Sequence, residues 1–135
     1  MIWRDVVVHF PHADEALRTV IASALHVDPQ RVTVIRDIED LGSGDIVCLR
    51  APLAGAPFDT LLTFYLSSEP QDTWATYARL AAALDSPLLV ADDEDSDPYS
   101  MIHIDQAGRR AAVRVAAEPL DERNEYVIED WAPAS

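Results

Sequence analysis

The sequence contains no lysine, a single cysteine and only four glycines. The one cysteine, Cys48, cannot form an internal disulfide, and its apolar neighbours predict a small buried side chain. The glycines do not form a phosphate-binding loop, because Gly42 and Gly44 precede a predicted strand and not a helix. A Gly-x-Ser-x-Gly stretch, which would carry a serine nucleophile, is missing as well. We therefore expect neither a catalytic site nor a cofactor.

Long apolar runs are also missing from the sequence. No stretch approaches the roughly 20 apolar residues that a membrane-spanning helix needs. The N-terminus lacks the charged start, apolar middle and cleavage site of a signal peptide, which predicts a cytoplasmic protein. Apolar residues nevertheless make up 49% of the chain and exclude a wholly disordered protein. The length of 135 residues predicts one domain, 1–135.

Negative charge is what the sequence has in excess. The chain holds 24 acidic residues against ten arginines, for a formal net charge of −14. Residues 1–68 contain nine acids and five arginines, whereas residues 69–135 contain 15 acids and five arginines. Such a chain repels nucleic acids and anionic membranes and attracts basic proteins. Two interpretations stay open, namely solubility alone and the binding of a basic protein partner.

The hydrophobic pattern alternates between strand and helix periods. An amphipathic helix is predicted over 13–26, and a second helix ends near residue 85. The order of elements predicts an α+β fold with a mainly antiparallel sheet and two helices on one face. The most economical topology is a ferredoxin-like core plus a C-terminal hairpin around 105–109. Predicted strands cover 2–10, 32–36, 45–50, 59–66, 88–91, 99–104 and 111–117, with a short piece at 126–128.

The second helix has a predicted start and a predicted buried face. Ser68 and Gln71 match a capping box, with Ser68 as the N-cap. The helical spacing places Trp74 on the buried face, in line with Tyr77 and Leu84. Since the two helices and the sheet account for the apolar faces, we expect a monomer or weak dimer.

The acidic residues do not match a calcium loop. Starting at Asp93, acids fall at loop positions one, three and five. An EF-hand then needs glycine at position six and glutamate at position twelve, where this chain has Pro98 and Ile104. We therefore expect no metal site.

Three histidines keep an enzymatic interpretation open. His9, His12 and His103 could act with carboxylates in the pocket of a small ferredoxin-like enzyme. Pro11 favours an extended segment between His9 and His12, so the two rings are not expected to converge. An isolated acid in the first strand, Asp5, is expected to pair outward with an arginine.

The densest acidic segment is the run 92–97. Like charges packed this closely repel, which predicts an extended, solvated segment. Tyr99 adds an aromatic ring of the kind that anchors interfaces. The alternative interpretation is a solvated connector without a partner. If the segment binds a partner, the site consists of Asp92, Asp93, Glu94, Asp95, Asp97 and Tyr99.

The chain resembles the immunity proteins of bacterial toxin systems, such as contact-dependent growth inhibition. The resemblance lies in small size, strong acidity and scarce cysteine, and in the stretches 86–90 and 97–100. It implies an inhibitor that blocks the active site of a toxin, often a nuclease with a basic cleft, with acidic side chains replacing nucleic-acid phosphates. A general protein-binding module without a toxin is the third interpretation.

Overall fold

The computed structural model describes residues 2–42, 45–68 and 70–131. Within these residues the chain forms eight strands and three α-helices, with single 3-10 turns at Pro29–Arg31 and Ile38–Asp40. In chain order they are β1 (Ile2–Val8), α1 (Asp14–Leu25), β2 (Val32–Ile35), β3 (Ile46–Pro52), β4 (Thr60–Leu66), α2 (Thr73–Leu84), β5 (Leu88–Ala91), β6 (Ser100–Ile104), β7 (Arg110–Val115), α3 (Ala117–Arg123) and β8 (Ile128–Trp131).

All of these strands belong to one sheet, in the order β2-β3-β4-β1-β5-β6-β7-β8. β2 and β3 run parallel, and every other neighbouring pair is antiparallel. Two split βαβ units interlock at the centre, because β4 lies between β1 and β3 while β1 lies between β4 and β5. The predicted α+β fold with a ferredoxin-like core is therefore confirmed. β2 extends this core on one side, and β6, β7 and β8 extend it on the other.

The main core lies between the sheet and the helices α1 and α2. Each helix buries one stripe of apolar side chains at helical spacing, such as Leu17 and Ile21 in α1 and Leu80 and Leu84 in α2. Alternate residues of the strands complete this core. Burial of each such leucine or isoleucine contributes about 1.5–3 kcal/mol of transfer free energy. The main strand contributions are Val6, Val8, Ile46, Cys48, Leu62, Phe64, Leu88 and Val90.

A second, smaller core lies on the opposite face of the sheet. Its covering layer consists of the loop 53–59 and the segment that includes α3. Gly55 adopts a φ of 85° in this loop, and a side chain there would start 2.6 Å from the side chain of Glu125. The loop and the segment after α3 therefore approach each other as closely as glycine allows. The buried members of this core are Val7, Phe58, Leu89, Met101, Val113 and Val115.

The start of α2 differs from the prediction. The N-cap is Asp72, whose side chain accepts a hydrogen bond from the N–H of Ala75 at 3.0 Å. The predicted capping box at Ser68 and Gln71 is wrong, because the helix begins at Thr73, two residues after Gln71, and is capped by Asp72.

Trp74 was predicted on the buried face of α2 and is 41% exposed. It lies in the first turn, where the helix extends beyond the main core. Its ring packs edge-on against Tyr77 with centroids 5.6 Å apart, and the guanidinium of Arg110 lies 4.6 Å from its centroid. The indole therefore connects α2 to the start of β7 at the protein surface.

Replacing Trp74 by alanine should lower the free energy of unfolding by only about 1–2 kcal/mol, since it removes two aromatic contacts from an exposed position. Leu80→Ala in the same helix should cost about 2–5 kcal/mol, because Leu80 is buried. Urea unfolding of both variants and the parent measures the difference. A Trp74 variant that loses as much stability as the Leu80 variant would contradict this placement.

Candidate acidic interface

The acidic run 92–97 folds into consecutive turns and is not extended. The N–H of Asp95 donates to the carbonyl of Asp92 at 3.2 Å, and the N–H of Ser100 donates to the carbonyl of Asp97 at 3.1 Å. Asp95 accepts hydrogen bonds from the N–H of Asp97 and from the hydroxyl of Ser100, and these lower the pKa of its carboxyl group. The predicted extended segment is wrong, because local hydrogen bonds to the backbone offset the repulsion between neighbouring carboxylates.

Three carboxylates of the run share one role, which is to accept a backbone N–H two residues further along. Asp92 accepts from Glu94 at 3.2 Å, Asp95 from Asp97 at 2.9 Å, and Asp97 from Tyr99 at 2.9 Å. These repeated Asx turns hold the run in one conformation. The side chain of Glu94 has no such role and is exposed.

Arg114 connects this run to the last strand. Its guanidinium forms an ion pair with Asp97 and lies 3.9 Å from a carboxylate oxygen of Glu129. Arg114 belongs to β7 and Glu129 to β8, so one basic side chain holds acids from the run and from the edge of the sheet. Since one positive charge faces two carboxylates, the net charge around Arg114 remains negative.

Tyr99 connects the run to α3. Its hydroxyl donates to the carboxylate of Asp121 at 2.6 Å, and its ring packs half-buried against the second core. The hydrogen bond to Asp121 and partial desolvation raise the pKa of the Tyr99 hydroxyl. Tyr99 therefore has a structural role, and only part of its ring is accessible to a partner.

The fold gathers three acidic segments at one end of β6 and β7, opposite the hairpin at 105–109. We name this surface, formed by residues 92–97, 118–125 and 129–130, the acidic end. It contains eleven acidic residues and one arginine, Arg123. In the part of the chain that the structure describes, eight of its carboxylates have no arginine within 4.0 Å: Asp92, Asp93, Glu94, Asp95, Glu118, Asp121, Glu122 and Asp130.

The run 92–97 is evident in the sequence, whereas the acids of α3 and β8 were not predicted to belong to the site. α3 is only seven residues long and contains Pro119, so its helical period is too short to detect. Two signals for this helix are present in the sequence. Glu118 is an acid suited to the first turn, and Asn124 is a residue type that readily ends a helix in the left-handed conformation.

Arginines at the other side of the sheet are paired with acids. Asp14 at the start of α1 accepts from Arg36 at 2.8 Å and from Arg50 at 2.9 Å, and Arg31 contacts Asp45 at 3.0 Å. The hydrogen bond from Arg36 is the main cause that lowers the pKa of Asp14, with Arg50 adding to it. These pairs neutralise charge locally, whereas the acidic end retains its excess.

Of the three histidines considered for an enzyme, only His9 lies within hydrogen-bonding distance of a carboxylate in the described residues, that of Asp59. His9 Nδ1 lies 3.0 Å from Asp59 Oδ2. Partial burial of Asp59 is outweighed by hydrogen bonds from Thr60, His9 and the N–H of Phe10, so the pKa of Asp59 is lowered. The nearby hydroxyl of Ser86 accepts from the backbone N–H of His9 and does not contact its ring, so the three groups do not form a nucleophile–base–acid series.

The other histidines do not join this pair. His12 contacts the ring of Phe10, with centroids 5.2 Å apart. His103 packs against Trp131 at 4.6 Å, on a strand beyond β5, and burial lowers its pKa. Asp5 accepts from the hydroxyl of Thr63 at 2.7 Å.

A shallow cleft of about 380 Å³ lies between the end of α1 and the start of α2. Its walls include two arginines and two aspartates, and these groups bond to the protein itself. Arg31 contacts Asp45 at 3.0 Å, Arg79 donates to the carbonyl of Ala24 at 2.8 Å, and Asp72 caps α2. Among the described residues that line it, the cleft therefore offers no unpaired set of charges to a ligand.

Three further features of the described residues bear on metal binding, thiol chemistry and membrane insertion. Among residues 2–42, 45–68 and 70–131, no three histidine, cysteine or acidic side chains converge as a metal site. Cys48 is buried, and the loss of solvent strongly raises the pKa of its thiol. None of the helices in the described part is long and apolar enough to span a bilayer.

In comparisons with protein-family models, with curated proteins and with solved structures, nothing matches this chain. Its function is therefore inferred from the geometry and charge of the acidic end.

The hydrogen bond between Tyr99 and Asp121 can be observed by following the absorbance of tyrosine as the pH is raised. Asp121→Asn should shift the Tyr99 transition to lower pH, because the neutral amide no longer opposes ionisation of the phenol. Because the pKa of Tyr99 is higher in the folded protein than in the unfolded chain, its hydrogen bond stabilises the fold fully below the ordinary tyrosine pKa. This stabilisation is lost as the pH rises through the pKa of Tyr99 in the folded protein. Thermal unfolding of parent and variant should therefore differ at neutral pH and converge at high pH. An unchanged titration would contradict the hydrogen bond.

Proposed function

We propose that this chain neutralises a basic protein partner through the acidic end, and that it is the immunity protein of a bacterial toxin. The observation that carries the proposal is the gathering of eleven acids from three segments around a single bridging arginine, Arg114. Solubility alone does not require like charges to be concentrated, and their concentration at one end of a sheet costs electrostatic free energy. Such a concentration favours a partner with the opposite charge.

The internal hydrogen bonds of the run support a binding role. Asp92, Asp95 and Asp97 hold the backbone in place, so the run is already ordered before a partner arrives. A preordered surface loses less conformational entropy on association than a flexible one. Glu94 has its charge free for a partner.

The charge distribution also sets the expected kinetics. A concentrated negative field steers a basic partner and raises the association rate, up to roughly 10⁸–10⁹ per molar per second at low salt. Salt reduces this gain, since the Debye length falls to about 8 Å near physiological ionic strength. An inhibitor that must reach a toxin before the toxin reaches nucleic acid benefits from fast encounter, and its carboxylates would occupy the sites of phosphates.

The direct test is protection from the toxin. The C-terminal domain of a large secreted protein encoded beside this chain's gene, produced alone in bacteria, should arrest growth, and co-production of this chain should restore it. A neighbouring set of metabolic genes, or a toxin domain that still arrests growth, would contradict the immunity role.

Removing charge from the acidic end should weaken binding without unfolding the chain. We choose Glu94→Gln, Glu118→Gln and Glu122→Gln, because these carboxylates have no arginine partner in the described residues. Association should slow about 10-fold or more at low salt and change little at high salt. The association rate is measured by surface plasmon resonance with the purified toxin domain immobilised, at two salt concentrations.

The matched control removes three exposed charges that lie outside the acidic end, with Glu39→Gln, Asp40→Asn and Asp85→Asn. This variant should keep most of the parent's association rate, and thermal melting should show that both variants fold. Equal rates for the two triple variants would mean that net charge alone matters and that the acidic end is only a solvated surface.

A further inference from the structure

We propose that the basic partner binds by adding an extended segment to the open edge of β8. The inference rests on the proposed function and names the way in which the partner is held. β8 is the last strand of the sheet, and in the part of the chain that the structure describes no strand pairs with its outer side. An edge strand presents N–H and C=O groups in the pattern that a further strand requires.

The charges of β8 select the kind of strand that can be added. Glu129 and Asp130 are both exposed, and Asp130 has no arginine within 4.0 Å in the described residues. Side chains directly opposite each other on paired strands lie about 4.5–5.5 Å apart, so opposite charges there attract. Arginine or lysine side chains of an added strand would therefore pair with these two acids.

The same charges act against pairing with a second copy of this chain. Two β8 strands side by side would bring Glu129 and Asp130 close to their own copies, and like charges at such positions destabilise the pairing. The strand is also short and carries a bulge at its contact with β7, between Arg114 and Val115. These features protect an edge against self-association and leave it open to a basic segment.

Apolar side chains flank the two acids. Trp131 is 56% exposed and is held from one side by the ring of His103, while Val127 is 39% exposed. A partly exposed indole on a rigid strand is a suitable anchor, because burying it gains a large apolar area at little entropic cost. The edge therefore presents apolar, acidic and apolar side chains in succession.

The edge is continuous with the acidic end. Arg114 contacts both Asp97 and Glu129, so the run 92–97 and β8 belong to one surface. The other edge of the sheet, β2, differs, because Val32–Ile35 carries no charge and its flanking Arg31 and Arg36 are paired with acids. Electrostatic complementarity therefore directs a basic strand to β8 and not to β2.

The test uses a designed probe, an alternating arginine–valine heptapeptide, with hydrogen exchange of backbone amides followed by NMR. The peptide should slow exchange across Ile128–Trp131 by at least about tenfold. A peptide with a central proline, which cannot donate at that position, should lose most of this protection. Glu129→Gln with Asp130→Asn should weaken peptide binding more than Glu94→Gln with Glu118→Gln, which removes the same charge elsewhere on the acidic end.

Three results would overturn the inference. The proline peptide could protect β8 equally, which indicates ion pairing without strand addition. Peptide binding could slow the amide exchange of residues 92–97 and 118–125 alone and leave β8 unaffected. Protection of β8 could instead rise with protein concentration in the absence of peptide, which identifies a second copy as the occupant. In each case the protection assay with the toxin domain still decides the proposed function separately.

Discussion

The structure depends on the burial of β1 on both of its faces. Val6 and Val8 lie under α1 and α2, and Val7 lies in the second core. β1 also pairs along its length with β4 on one side and, at Val7, with Leu89 of β5 on the other, so the backbone around Val7 is bonded on both sides. A strand buried in this way determines where both helices pack, and its neighbour β5 joins it to the three strands that carry the acidic end.

The acidic end is tolerated by the fold because some of its acids take part in folding. Asp92, Asp95 and Asp97 satisfy backbone N–H groups, and Arg114 links Asp97 to Glu129. The repulsion among the remaining carboxylates is solvated and screened, so its cost is small compared with that of the buried cores. The excess of charge is therefore compatible with a rigid surface, and a rigid surface loses little conformational entropy when it binds a partner.

The elements that were predicted correctly are those whose side chains repeat over many residues. The strand 2–10 and the helix 13–26 correspond to Ile2–Val8 and Asp14–Leu25, since their periods of two and 3.6 are long enough to distinguish. The errors arose at short or terminal features. Trp74 follows the helical spacing but lies beyond the edge of the core, and α3 is too short to show a period. Of the candidate interface, the run 92–97 was visible because its acids are adjacent in the chain.

The sequence by itself determined the fold class, the two helices, the net charge and its concentration in the second half of the chain, because pattern and composition are local properties. Only the tertiary structure decided that α3 and β8 join the run 92–97, because Tyr99 and Arg114 reach acids that are distant in sequence. It also decided that the run is a set of turns, and that β8 lies at the open edge with Glu129 and Asp130 exposed. The physical reason is that strand order depends on which apolar faces pack together across the whole chain, and no local pattern encodes that competition.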